Sequence, residues 1–147
     1  MKVRTSVSVT AAQYYRHLCR EAVKDIRKAS GKNVTLQELE EGYMYVRKIT
    51  YGKRPVDIRM KVGPLIENRL FCVSYETEET KGSYSYDFSE DSTGTAVTYS
   101  EDTEYKEQTV GNYFGSLIKK MRTKATQMKI LRNIEMTETY IQNHEGE

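Results

Sequence analysis

The sequence predicts an α+β fold, a six-stranded antiparallel sheet packed on a long C-terminal helix, with two short helices after the first strand. Three observations carry this prediction. From Tyr43 to Tyr105, apolar and polar residues alternate in five successive short segments, the period-two signature of half-buried strands. From Asn112 to about Ile134, Phe114, Leu117, Ile118, Met121, Ala125, Met128 and Leu131 recur every three or four residues, which places them on one stripe of a helix. Ahead of both, Val3, Thr5, Val7 and Val9 alternate with Lys2, Arg4, Ser6 and Ser8. A sheet and a helix that each have one apolar face must bury those faces against each other.

In chain order, the first strand ends at Thr10, a side chain suited to capping a helix that runs to about Ala29. The apolar stripe of this helix is Tyr15, Leu18, Cys19, Ala22, Ile26 and Ala29, and Gly31 supplies its left-handed stop. Thr35-Leu36-Gln37-Glu38 has the capping-box pattern, which predicts a second, short helix over 36–41, halted by Gly42. Strands are expected at about 43–50, 55–62, 69–77, 83–89 and 95–105. Tyr51-Gly52-Lys53-Arg54 and Asp91-Ser92-Thr93-Gly94 form the clearest turns between them. The long helix comes last. Its stripe loses coherence after Ile134, where Thr137 and Thr139 lower helix propensity.

Size supports a boundary there. A domain of this length has a diameter of about 40 Å, whereas a helix from Val110 to Ile141 is on the order of 48 Å long. Residues 1–135 are therefore expected to form one domain with the packed helix ending near Glu135. Residues 136–147 are expected to fray, fold back or contact a second copy of the chain, as in a homodimer joined through the helix end.

The chain has 147 residues, 37% of them hydrophobic, with twelve tyrosines and no tryptophan. A buried phenol needs a hydrogen-bond partner or a water, so a tyrosine-rich interior is partly polar and suits a pocket. Tyrosine also simply fits half-buried strands. Cys19 and Cys72 lack metal-site spacing and read as reduced packing residues of a cytoplasmic protein. No segment has the roughly 20 apolar residues of a membrane span, and the N-terminus lacks a signal-peptide core. Residues 1–34 carry eight basic and two acidic side chains, and residues 75–108 carry two basic and ten acidic. Such blocks complement each other if the first and last strands are neighbours, and no dominant basic surface marks a nucleic-acid binder. Lys119, Lys120, Arg122, Lys124, Lys129 and Arg132 make the long helix basic. They read as a solvated face opposite the stripe rather than a membrane or nucleic-acid surface.

With these elements in order, the whole chain resembles the helix-grip superfamily of START lipid-transfer domains, polyketide cyclases and the birch pollen allergen. The strand-to-helix entry VSVTAAQYYRHL resembles the opening of that superfamily. More narrowly, KVRTSVSVTAAQYYRHL, Tyr99-Ser100-Glu101 and SLIKKMRTKATQMKILRNIE look like an uncharacterised family of short proteins from Gram-positive bacteria, a domain of unknown function. The resemblance implies a curved sheet gripping the C-terminal helix, with a cavity between them.

Ser83-Tyr84-Ser85-Tyr86-Asp87-Phe88 puts three rings on one face. If that face meets the long helix, alternation in the last strand turns Val97, Tyr99, Glu101, Thr103 and Tyr105 inward. Glu101 is then a polar anchor for a ligand, or a base with a raised pKa. A β-bulge, or sheet pairing that ends before residue 101, would instead turn it outward. His17 has no partner at catalytic spacing and reads as a boundary residue, and His144 lies in the tail. Phosphate loops, zinc-protease motifs and nucleophile elbows are all missing, so no cofactor or metal is expected.

The leading reading is a small intracellular binding protein for an apolar or aromatic molecule. Tyr84, Tyr86, Phe88, Tyr99 and Glu101 would line its cavity from the sheet, and Phe114, Leu117, Ile118 and Met121 from the helix. The alternatives are a cofactor-independent cyclase or hydrolase using Glu101, and a protein-interaction domain, similar to the chaperone activators of the superfamily, with a filled core.

Overall fold

The computed structural model describes residues 1–92, 94–105 and 112–144, and the side chains of these except Tyr51 and 112–123. The order is β1 (Lys2–Val7), α1 (Ala11–Ser30), β2 (Met44–Tyr51), β3 (Arg54–Ile66), β4 (Leu70–Glu76), β5 (Thr80–Asp91), β6 (Gly94–Tyr105) and α2 (Asn112–Asn143). All neighbouring strands are antiparallel, and the spatial order β1-β6-β5-β4-β3-β2 makes the first and last strands neighbours. The basic N-terminal and acidic late segments thus meet in one ladder. The ion pairs formed by acidic residues 76–79 reach instead to Arg54 and Arg59 of β3.

Helix α1 starts where its cap predicts. The Thr10 hydroxyl accepts from the Gln13 N–H at 3.1 Å while the Gln13 side chain accepts from the Thr10 N–H at 2.9 Å. It stops at Gly31, whose φ of 74° allows its N–H to reach the Arg27 carbonyl at 2.8 Å. The expected helix at 36–41 is a single turn instead. The Thr35–Glu38 box forms, with the Glu38 N–H donating to the Thr35 hydroxyl and carbonyl. Burial of Val34 and Leu39 on either side fixes that turn. One turn bears the nucleation cost without room to propagate before Gly42.

Alternation assigns one face of the sheet to the core. Val3, Val7, Val97, Tyr99, Phe88, Phe71, Val73, Val62, Met60 and Tyr45 are buried there. Helix α1 packs over β2, β4 and β5, and the described part of α2 packs on β1 and α1. Two buried clusters result. One joins β1, β5, β6 and α2 around Tyr14, and the other joins α1 to β2, β3 and β4 around Ile26 and Val62. Tyr84 and Tyr86 touch both.

The packed face of α2 differs from the sequence stripe. Ala125 is exposed, and Met128 is 66% exposed. Ile134 (1%) and Ile141 (8%) are in the core, with Ile130 packed against it. Positions 130, 134, 137 and 141 form their own three-to-four spacing, rotated from the stripe that passes through 125 and 128. Burial thus continues beyond Glu135, where weakening periodicity placed the end of packing. The terminal segment is tied down by polar contacts too. Glu138 accepts from the Ser8 N–H at 2.8 Å, and Gln142 donates to the Ser8 hydroxyl at 2.6 Å. Phe114, Leu117, Ile118 and Met121 lie outside the described side chains.

Candidate inner-face site

The β5–β6 ladder is unbroken from Thr80↔Tyr105 to Asp91↔Gly94, so no bulge interrupts the alternation of β6. Glu101 pairs with Tyr84, Tyr99 with Tyr86, and Val97 with Phe88. Glu101 therefore shares the inner face with the three rings. On its other side the Glu101 N–H donates to the Met1 carbonyl at 2.9 Å, which holds the backbone within the sheet.

The rings form a continuous floor. Centroids of Tyr86 and Tyr99 are 5.0 Å apart, and those of Tyr84 lie 6.4 Å from both, with Tyr84 stacked on Tyr99 and edge-on to Tyr86. Phe88 is buried, its ring 5.2 Å from Tyr14 of α1, and belongs to the packed core. Tyr99 is also buried, whereas Tyr84, Tyr86 and Glu101 are half-buried. The Tyr99 hydroxyl donates to the Glu101 Oε2 at 2.9 Å. Among the described residues, the Tyr84 and Tyr86 hydroxyls have no hydrogen-bond partner.

Electrostatics keep these phenols protonated. Burial, reinforced by Tyr86 and Asp25 and opposed by Arg47, pushes Tyr84 up to about 12. Burial raises Tyr86, with Tyr14 and Glu101 adding to it. Burial likewise raises Tyr99, and the adjacent Glu101 charge and hydrogen bond raise it further. Each ring is consequently a neutral donor at ordinary pH.

Several polar partners escaped the sequence reading. Tyr45 donates to Asp25 at 2.6 Å, and the Arg47 Nε stands 3.5 Å from the same carboxylate. The spacing of Tyr45 and Arg47, two apart on β2, was a usable signal, but the helix stripe gave no reason to single out Asp25. Tyr75 crosses β5 at Gly82, and its hydroxyl meets that of Thr103 at 2.6 Å. Only a glycine leaves room for that ring, since a Cβ at position 82 would lie 2.6 Å from it. Tyr14 is 1% exposed, and burial pushes its pKa up to about 12, with Thr137 opposing.

A surface recess of about 560 Å³ lies elsewhere, at the α1–β2 connection, lined by Lys32, Val34, Glu38, Glu41 and Tyr43 among others. It contains none of the inner-face residues. Among the described residues no group of three or more His, Cys, Asp or Glu is placed to hold a metal ion, and no helix is long and apolar enough to cross a membrane.

A family model described as a domain of unknown function, DUF3284, matches residues 1–121. No curated protein matches the sequence. Solved structures with a similar fold include protein Mll3558 from Rhizobium loti, with a TM-score of 0.62 at 12% identity, covering 93% of this chain and 94% of that one. Ara h 8.0201 has a TM-score of 0.60 at 10% identity, covering 98% and 97%. A START superfamily protein from Mycobacterium smegmatis has 0.53 at 10% identity, covering 90% and 97%. At such identities the likeness establishes the fold, a helix-grip α+β architecture.

Proposed function

The chain belongs to the DUF3284 family, and on that premise we propose that it is a small intracellular protein that binds an apolar or aromatic small molecule on the inner face of its sheet. One observation carries this reading: Tyr84 and Tyr86 are half-buried beside Glu101, while neighbouring Phe88 and Tyr14 are packed shut. Rings left partly uncovered inside a gripped sheet offer burial to an apolar body. Two donor hydroxyls and one carboxylate offer it an orientation. Phe114, Leu117, Ile118 and Met121 would cover the guest from α2.

A second reading draws on the Tyr99–Glu101 hydrogen bond, which fixes the carboxylate as a catalytic acid or base would need to be fixed. Glu101→Gln separates the two readings: it weakens binding modestly in a carrier and abolishes turnover in an enzyme. The interaction-domain reading draws less support, because the exposed Met44 and Val46 on the outer face of β2 lie opposite Lys61 and Arg59 of β3 rather than forming an apolar patch.

Native mass spectrometry of protein purified from its source cells tests the proposal. A co-purifying compound that is lost in Tyr86→Ala supports it. Protein that is empty in every preparation counts against it.

A further inference from the structure

We propose that the guest of this site is a cation, an amine or quaternary ammonium group on an apolar body, seated over the Tyr84 and Tyr86 rings with Glu101 as its counter-charge. The inference rests on the binding reading above and specifies its chemistry.

Three features of the inner face lead to it. The first is the floor itself. Tyr86 stands steeply inclined to both Tyr84 and Tyr99, all three within 6.4 Å of one another, so the rings meet as an aromatic corner, and a cation against an uncovered ring face gains from its quadrupole what a neutral group does not.

The second is the balance of charge. Arg47 is already paired with Asp25, which also accepts from Tyr45. Glu101 has no such partner: among the described residues no Lys, Arg or ammonium forms an ion pair with its carboxylate. The amino group of Met1 is near, but it donates to the Glu101 backbone carbonyl at 2.9 Å.

The third is the acceptor geometry. Tyr99 occupies Oε2, and Oε1 has no hydrogen bond among the described residues. A neutral guest could add at most a neutral donor at Oε1 and would leave the charge uncompensated, and an anionic guest would meet like charge. Only a cation both covers the rings and compensates the carboxylate.

The test uses a matched pair of probes on the full chain, (4-hydroxyphenyl)trimethylammonium and its uncharged isostere 4-tert-butylphenol, with affinities measured by isothermal titration calorimetry. The expected result is binding of the ammonium probe roughly tenfold more tightly than the isostere, the scale of a partly desolvated cation–π contact. Glu101→Gln should narrow that preference by removing the counter-charge, leaving only the contribution of the rings. Equal affinities, or a preference for 4-tert-butylphenol, overturn the cation inference and leave the binding reading standing. Failure of both probes to bind overturns both. The wild-type comparison requires no variant to fold.

Discussion

Replacing Ile134 by alanine should destabilise the protein far more than the same change at Met128. The two residues are six apart on one helix, and the sequence stripe and the packed structure rank them in opposite order. Ile134 is 1% exposed, in a cluster with Tyr14, Phe88, Val97 and Ile141, whereas Met128 is 66% exposed. Truncating a fully enclosed isoleucine removes its transfer free energy and leaves a cavity, a loss of about 2–5 kcal/mol. The lower half of that range fits a helix at the edge of the sheet, where neighbouring side chains can partly collapse. At about 2–4 °C per kcal/mol for a chain of this size, the melting temperature should fall by roughly 4–14 °C. Met128→Ala should stay within about 0.5 kcal/mol of the parent. Urea unfolding of both variants, with midpoints compared at constant m-value, measures the contrast. If Met128→Ala costs as much as Ile134→Ala, the stripe through 125 and 128 is the packed face, and the docking of α2 through Ile130, Ile134 and Ile141 is wrong.

Three other outcomes rest on particular contacts. Gly82→Ala should cost about 1–3 kcal/mol, because its Cβ would stand 2.5 Å from the Asp102 carbonyl and 2.6 Å from the Tyr75 ring. Unfolding curves of Gly82→Ala beside the exposed-strand control Ser89→Ala check this, and equal stabilities would refute it. Burial lowers the His17 pKa from 6.5, against the smaller opposing effect of Glu21. Its folded-state value being depressed, the stability it contributes is present above pH 6.5 and is lost as pH falls through the folded value. The acid slope of stability should therefore flatten in His17→Gln. For Tyr14 and Tyr84 the sign is reversed. Burial raises both from 10.0 to about 12, so their contribution is full below pH 10 and declines as pH rises towards 12. Ultraviolet titration of tyrosinate should show ionisation late and coincident with unfolding, and an early titration without unfolding would contradict the burial.

How much of this was legible in the sequence depended on whether a local pattern or a distant neighbour decided the outcome. The alternation of β5 and β6 specified which side chains share a face, and an unbroken register carries that local rule as far as Glu101. The cap at Thr10 and stop at Gly31 were legible because both act within one helical turn. The box at Thr35 was local as well, but a turn propagates into a helix only if enough helix-forming residues come after it, and there Gly42 is close. The face of α2 was less legible. Its residues offer two overlapping stripes, and the choice between 125–128 and 130–134–141 is made by Tyr14, Val7 and Phe88, far away in sequence. Tyr14 itself was missed because its neighbour Tyr15 fits the same stripe, and only contact with α2 distinguishes them.

Glu101 shows why the proposed site residue was more legible than its surroundings. Its orientation is set by parity along one strand, which no distant contact can change without breaking the ladder. Its chemistry depends on what is absent around it, and sequence does not record that. Arg47 and Glu101 both face inward on the sheet, and from composition alone they could have formed an internal pair. The strand order decides otherwise. β2 and β6 are separated by β3, β4 and β5, and Asp25 on α1 reaches Arg47 first. That assignment leaves a carboxylate beside half-covered rings, with Tyr99 donating to one of its oxygens. The topology that separates the two charges therefore shapes the proposed site.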